Sequence, residues 1–238
     1  MRRLRFFCEA IDSKCTLDET ESHHLSRVLR VEQGQPVEVF DGRGTLAEGT
    51  VERIERRHVT INTSRITHIP RPDTARLILA VSYAKGQRFD WLVEKCTELG
   101  ADHIAAVQFE RTVKLGNENA VERLKKISLA AAKQSGRLHL PELSGPLRLE
   151  PAFTRLKTQY PNALLCCGDP LGQSPASILK QAANRDILVL VGPEGGLAPD
   201  ESLWMASENI LPVSINQNIL RVETAAVAFC SLFKAPWA

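Results

Sequence analysis

Residues 187–201 read ILVLVGPEGGLAPDE. Five apolar residues, Ile187 to Val191, run straight into three glycines and a proline around a lone carboxylate, Glu194. A short, wholly apolar run closed by turn residues is the pattern of a strand buried on both faces of a parallel sheet. Pro199 then suits the first turn of a helix, and Asp200 and Glu201 favour the positive end of its dipole. Strand, glycine loop, helix is the expected order. Ligands of open parallel sheets bind beyond the carboxyl ends of the strands, and Gly192, Gly195 and Gly196 stand at such an end. Glycine also lets another molecule approach the main chain closely. The spacing matches neither G-x-x-x-x-G-K-[ST] nor G-x-G-x-x-G, and Glu194 would repel a phosphate. The plain alternative is a strand-to-helix turn; the sharper one is a loop for a ligand with positive charge or hydroxyl donors.

The same alternation extends on both sides of this stretch. RLILAVS (76–82), IAAVQF (104–109), ALLCC (163–167) and PVSI (212–215) read as strands. Helical spacing marks 88–100, 120–135, 175–183, the run from Pro199, and TAAVAFCSLF (224–233). Apolar strands of about five residues between helices predict an α/β domain over 74–238 with a parallel sheet covered on both faces. The first 70 residues differ. PVEVFD (36–41), TLAEGTVERI (45–54) and RHVTINTSRI (57–66) are β-type segments separated by turn signals such as Asp41-Gly42-Arg43-Gly44. One helix-like segment, ESHHLSRVLR, precedes them. Residues 1–70 are therefore expected to form a small β-barrel-like domain. Two prolines in His68–Asp73 mark a linker.

Composition is that of an ordinary globular protein, 43% hydrophobic and 24% charged over 238 residues. No apolar run approaches the roughly 20 residues that span a bilayer, and Glu9 and Asp12 interrupt any leader-like start. A cytoplasmic location without membrane attachment is expected. The six cysteines form no C-x-x-C pair and read as reduced, mostly buried thiols. No metal-ligand spacing is present and no metal site is expected; His23 and His24 diverge by about 100° on a helix. Trp91, on the helical segment 88–100, reads as a packing residue. Net charge is only +2, and residues 1–72 carry 12 Lys/Arg against 11 Asp/Glu. Any nucleic-acid surface must be a local patch.

A second informative stretch is PVSINQNILRVETAAVAF (212–229), where a strand enters a polar loop and Ile219-Leu220-Arg221 leads into a helix. GPEGG followed by ILRVETA resembles the signature of the RsmE-type methyltransferases of the SPOUT superfamily. At the N-terminus Arg2-Arg3, Phe6-Phe7, His24-Leu25, Val28-Leu29-Arg30, Gly34 and Phe40-Asp41-Gly42 are similar to that family's PUA-like domain. Thr97-Glu98-Leu99-Gly100, Glu110-Arg111-Thr112-Val113 and Gln134-Ser135-Gly136-Arg137 match further motifs in order.

The resemblance implies a C-terminal sheet whose end is threaded into a deep trefoil knot, a PUA-like RNA-binding domain, and a homodimer. It implies S-adenosyl-L-methionine as cofactor, held by three loops that map here onto Cys167 and Gly168, onto Val191, Gly192, Gly195 and Gly196, and onto Ile215, Asn216, Ile219 and Leu220. The implied reaction is methylation of N3 of a uridine in 16S (small-subunit) ribosomal RNA. Deprotonating N3 spreads charge onto O2 and O4 of uracil. Arg221 is the candidate to stabilise that charge, and Glu194 is a candidate proton acceptor. Candidate RNA contacts are Arg2, Arg3, Arg5, Arg30 and Arg43, with Arg111, Lys114 and Arg137 in the C-terminal domain; ordinary solvation is the alternative for each. Family members carry Leu-Gly-Pro-Arg where this chain has Ile215-Asn216-Gln217-Asn218, and a capping Ser where it has Ala198. The lost glycine and arginine motivate the alternative of an RNA-binding or ribosome-assembly paralogue with altered target or weak methylation.

Overall fold

The computed structural model describes residues 3–84, 86–112 and 119–234. The protein divides into two compact units, one gathering Met1–Pro72 with Ala132–Leu140, the other Asp73–Ala131 with Pro141–Ala238. Arg137, read above with the C-terminal domain, therefore groups with the first unit.

The first unit is a mixed five-stranded sheet. Its strands are β1 (Arg5–Phe7), β2 (Lys14–Leu17), β3 (Pro36–Phe40), β4 (Thr45–Ile54) and β5 (Val59–His68), in the order β1-β3-β4-β5-β2. Alternating side chains send Phe6, Leu17, Val37, Val39, Val59 and Ile61 into one core. The helix expected near residue 21 is α1 (Glu19–His23), started by Asp18, whose Oδ1 accepts the Glu21 N–H at 2.7 Å. It continues as a π-helical turn over His24–Val28. Strands β1 and β2 are only three and four residues long, too short for alternation to reveal them in the sequence.

The second unit is a six-stranded sheet, all parallel. It comprises β6 (Leu77–Ser82), β7 (His103–Gln108), β8 (Glu142–Arg148), β9 (Leu164–Gln173), β10 (Ile187–Val191) and β11 (Leu211–Val213), in the order β11-β9-β10-β6-β7-β8. Its helices are α2 (Gln87–Glu98), α3 (Asn119–Ser135) as far as Ala131, α4 (Leu149–Gln159), α5 (Pro175–Ala182), α6 (Pro199–Ser207) and α7 (Val222–Phe233). Period-2 alternation splits the strands between two cores. Leu77, Leu79, Val189 and Val191 face Phe89 and Val93 of α2, Ile178 of α5 and Phe229 of α7. Ile78, Ala80, Leu188 and Leu190 face Phe153 of α4 and Met205 of α6. Each Val, Leu, Ile or Phe buried in this way stabilises the fold by about 1.5–3 kcal/mol, so both faces of β10 anchor the loop that follows it. Trp91, expected to pack, lies off the Phe89–Leu92–Cys96 face of α2 and is half exposed.

At the opposite end of the sheet His103 is fully buried, its Nδ1 3.1 Å from the Tyr160 hydroxyl and its Nε2 2.7 Å from the Ser144 hydroxyl. Burial holds its pKa below the ordinary histidine value; Glu142 opposes that shift weakly. The unfolded protein thus takes up this proton at higher pH than the folded one. Stability is full above the ordinary histidine pKa and falls as pH drops through the folded-state value. His103→Gln is expected to flatten the pH dependence of stability below about pH 6.5, removing a slope of at most about 1.4 kcal/mol per pH unit. Urea denaturation across that range measures it.

Candidate active site beyond strands β9, β10 and β11

Strands β11, β9 and β10 are neighbours, so the segments beyond their carboxyl ends lie side by side. β9 pairs with β10 only as far as Cys167, and with β11 at Cys166, Cys167 and then Gln173. Residues 168–172 (GDPLG) therefore leave the ladder as a five-residue excursion. Gly172 closes it under compulsion: a Cβ there would stand 2.4 Å from both the carbonyl carbon of Pro212 and the amide nitrogen of Val213. Gly168 opens it, and a Cβ there would come to 3.1 Å of the Phe229 ring.

The loop after β10 is shaped by glycine in a similar way. A Cβ on Gly192 would reach 3.0 Å from Leu197 Cδ2, and Gly196 has φ +71°, the left-handed region that favours glycine. Gly196 N–H donates to Pro193 O at 2.9 Å. Arg111 reaches in from the segment after β7 and donates from Nη1 to Gly195 O at 2.9 Å. Helix α6 lacks a capping side group at Ala198 and keeps only the reciprocal half of a capping box, made by Glu201. Its Oε2 accepts from Ala198 N–H at 2.9 Å while its Oε1 accepts from Glu110 N–H at 2.8 Å.

The third loop does not use the left-handed backbone that asparagine tolerates better than other non-glycine residues. None of Asn216–Asn218 has a positive φ. Asn216 instead folds its side chain back, Oδ1 accepting from Asn218 N–H at 2.8 Å.

The predicted residues fall into distinct environments. Val191 is buried and Cys167 nearly so, leaving their main-chain groups for a ligand; Gly192 is half-buried, and Gly168, Gly195 and Gly196 are exposed. Ile215 packs against the core, Leu220 is half-buried, and Ile219 projects into solvent at 88% exposure. Burial pushes the Cys166 and Cys167 thiols up to about 12 and about 11, so both stay protonated at neutral pH. All six cysteines are free and buried. Arg221 is the N-cap residue of α7, exposed, and its side chain has no hydrogen bond or ion pair among the described residues. Glu194 is exposed and paired with Arg88, whose Nη1 lies 3.1 Å from its Oε1. Arg88 had no signal in the sequence; its partner is 106 residues away.

The arginines read as RNA contacts separate as well. Arg5 is committed inside the first unit: its side chain is 12% exposed, held twice by Glu38 and once by Gly136 O. That removes it from any phosphate surface. Arg3 pairs with Glu48, and Arg43 donates to Glu9 O at 2.6 Å while remaining mostly exposed. Arg137 donates to His139 O. Arg111 braces the glycine loop. Arg30 is exposed, at φ 51°, with no side-chain partner among the described residues. Arg2 and Lys114 lie outside the described residues.

A separate cleft of about 600 Å³ opens beyond β7 and β8, walled by Phe109, Trp204, Glu110, Glu150, Asp200 and Arg148. It includes none of the predicted cofactor residues, and its excess of carboxylates opposes a polyanion. Among the described residues no group of three or more His, Cys, Asp and Glu stands together as a metal site, and no helix is long and apolar enough to cross a membrane.

At Gly168 and Gly192 no Cβ covers the backbone, and the Glu194 and Glu223 carboxylates stand with Arg88 at the second and third of these loops.

Comparison with known proteins identifies the family. Residues 71–234 match the model of an RNA methyltransferase domain, and residues 17–64 that of an RNA methyltransferase PUA domain. Ribosomal RNA small subunit methyltransferase E of Synechocystis sp. is 32% identical over 91% of this chain and 71% of its own length. Ribosomal RNA small subunit methyltransferase E of Neisseria gonorrhoeae, solved with S-adenosyl methionine, superposes with TM-score 0.84 at 23% identity, covering 97% of this chain and 96% of that one. A protein of Legionella pneumophila solved with bound SAM gives TM-score 0.87 at 23% identity over 99% and 98% of the two chains. At these identities the superpositions speak for the fold alone. The sequence matches speak for more, and on them the chain belongs to the RNA methyltransferase family that includes ribosomal RNA small subunit methyltransferase E.

Proposed function

We propose that this protein is an S-adenosyl-L-methionine-dependent methyltransferase acting on N3 of a uridine in small-subunit ribosomal RNA. The observation that carries this reading is the set of three loops at the carboxyl ends of adjacent parallel strands, with the Arg221 guanidinium, unpartnered among the described residues, at the third. Cys167, Gly168, Val191, Gly192, Gly195, Gly196, Ile215, Asn216, Ile219 and Leu220 are the residues proposed to hold the cofactor, mostly through main-chain amides and carbonyls. Bound there, the cofactor supplies an electrophilic methyl group on a sulfonium. The protein supplies the rest. Arg221 donates to a uracil carbonyl and stabilises the charge left when N3 gives up its proton; Glu194 accepts that proton. N3, its proton passed to Glu194, would then be the nucleophile that takes the methyl group as the carbon–sulfur bond breaks and the neutral thioether leaves.

The remaining parts of the reading follow from the family. Residues 1–70 are proposed as the RNA-gripping domain, with Arg30 and Arg43 as its available cations, and 74–238 as the catalytic domain. The tail is proposed to thread a trefoil knot, the enzyme to be a cytoplasmic homodimer, and the substrate to be the small ribosomal subunit. The altered Asn216–Asn218 loop favours one competing reading, a paralogue that binds RNA and methylates poorly.

Mass spectrometry of small-subunit rRNA from cells lacking this protein separates the two. Loss of one N3-methyluridine, restored by the wild-type protein, is the expected outcome. An unchanged methylation pattern, with no heat of S-adenosylmethionine binding to the purified protein, would leave the paralogue reading standing.

A further inference from the structure

Arg88, in the first turn of α2, directs its guanidinium at two carboxylates from distant parts of the sequence. Nη1 lies 3.1 Å from Glu194 Oε1 in the loop after β10, and Nε lies 3.9 Å from Glu223 Oε1 in the first turn of α7. Glu223 follows Arg221 by two residues. Two carboxylates and one guanidinium thus meet two residues from Arg221, which itself has no side-chain partner among the described residues.

Local stability does not explain why Arg221 is there. The N-cap position favours Ser, Thr, Asp or Asn, and a cation at that end opposes the helix dipole. The adjacent acids would be its natural partners. We infer that Arg88 is a positioning residue that keeps Arg221 free for substrate by occupying Glu194 and Glu223. A guanidinium suits this role because its forked donors address two acceptors at once, which a lysine ammonium does less well. Removing Arg88 leaves two uncompensated carboxylates beside Arg221, which then turns onto them and is withdrawn from the site. The inference rests on the reading of Arg221 as the group that faces the base, and its test has one arm independent of that reading.

In that arm the purified full-length protein is treated with phenylglyoxal under single-hit conditions and Arg221 modification is followed by mass spectrometry. Wild type is expected to label fast. Arg88→Ala is expected to label about three- to fivefold more slowly, the scale set by an exposed ion pair. The triple variant Arg88→Ala/Glu194→Gln/Glu223→Gln, which has no carboxylate to capture Arg221, is expected to return to the wild-type rate. In the second arm Arg88→Ala lowers the single-turnover methylation rate by about fivefold with S-adenosylmethionine affinity unchanged, and Arg88→Lys recovers part of it. Unchanged Arg221 labelling in Arg88→Ala overturns the inference whatever the methylation assay gives. A wild-type protein that labels as expected but methylates no uridine overturns the proposed reaction and leaves the pairing intact.

Discussion

Arg221→Ala is expected to lower single-turnover methylation of the small subunit by about 10²- to 10³-fold, the loss typical of removing one donor from an oxyanion-type site. That is about 2.7–4 kcal/mol of transition-state stabilisation. Two further signatures identify the cause. S-adenosylmethionine affinity, measured by calorimetry, should stay within about threefold, because an interaction made only as charge develops lowers the rate and spares binding. The deficit should also narrow as pH rises, since at high pH the uracil loses its N3 proton without help. Arg221→Lys should recover only part of the rate, an ammonium being a point charge where a fork is required. The fold should be indifferent to all of these changes, because the Arg221 guanidinium has no partner among the described residues. A variant without Arg221 that methylates at the wild-type rate would remove the residue from the reaction.

The large features of this fold were legible because they depend on burial. ILVLV is apolar throughout since both faces of β10 are covered, and RLILAVS declares β6 for the same reason. β8 was not legible. ELSGPLR carries Gly145 and Pro146, which argue against a strand, but β8 is the outermost strand of its sheet, where a missing N–H is tolerated. With β8 unseen, α4 behind it was unseen too. Near the candidate site, the loops after β10 and β11 were legible because a glycine run and helix starts leave local marks, whereas the segment at Gly168 was singled out only by the family resemblance. Sequence could not find Arg88, whose meaning depends on Glu194 and Glu223 arriving at one place through the strand order. Nor could it find that Arg5 is buried against Glu38. A run of basic residues at an N-terminus has the same spelling whether it faces phosphate or a carboxylate of its own sheet. The missing glycine in the third loop shows the converse case. The residue change was visible, but the Asn216 side-chain turn that replaces the lost backbone freedom was not.

The largest stability effect is expected in the first unit, at Lys133. Its ammonium pairs with Glu21 Oε1, with the two side chains 16% and 5% exposed, while Glu21 Oε2 accepts from Phe7 N–H at 2.9 Å. One carboxylate thus joins the start of α1, strand β1 and the end of α3. Lys133→Ala leaves that carboxylate buried without a countercharge, and breaking a buried pair from one side costs about 3–5 kcal/mol. That is a large share of the about 5–15 kcal/mol that holds a domain together, so the denaturation midpoint should fall steeply. The double variant Glu21→Gln/Lys133→Met distinguishes lost attraction from stranded charge. Its amide oxygen keeps accepting from Phe7, and its thioether fills the volume of the lysine stem without a charge to compensate. It should therefore lie well above Lys133→Ala in stability, because the burial penalty of both ions disappears along with their attraction. If the single and double variants unfold at the same denaturant concentration, the stranded carboxylate is not what Lys133→Ala costs, and the attraction between the two ions, lost in both variants, is what the first unit requires.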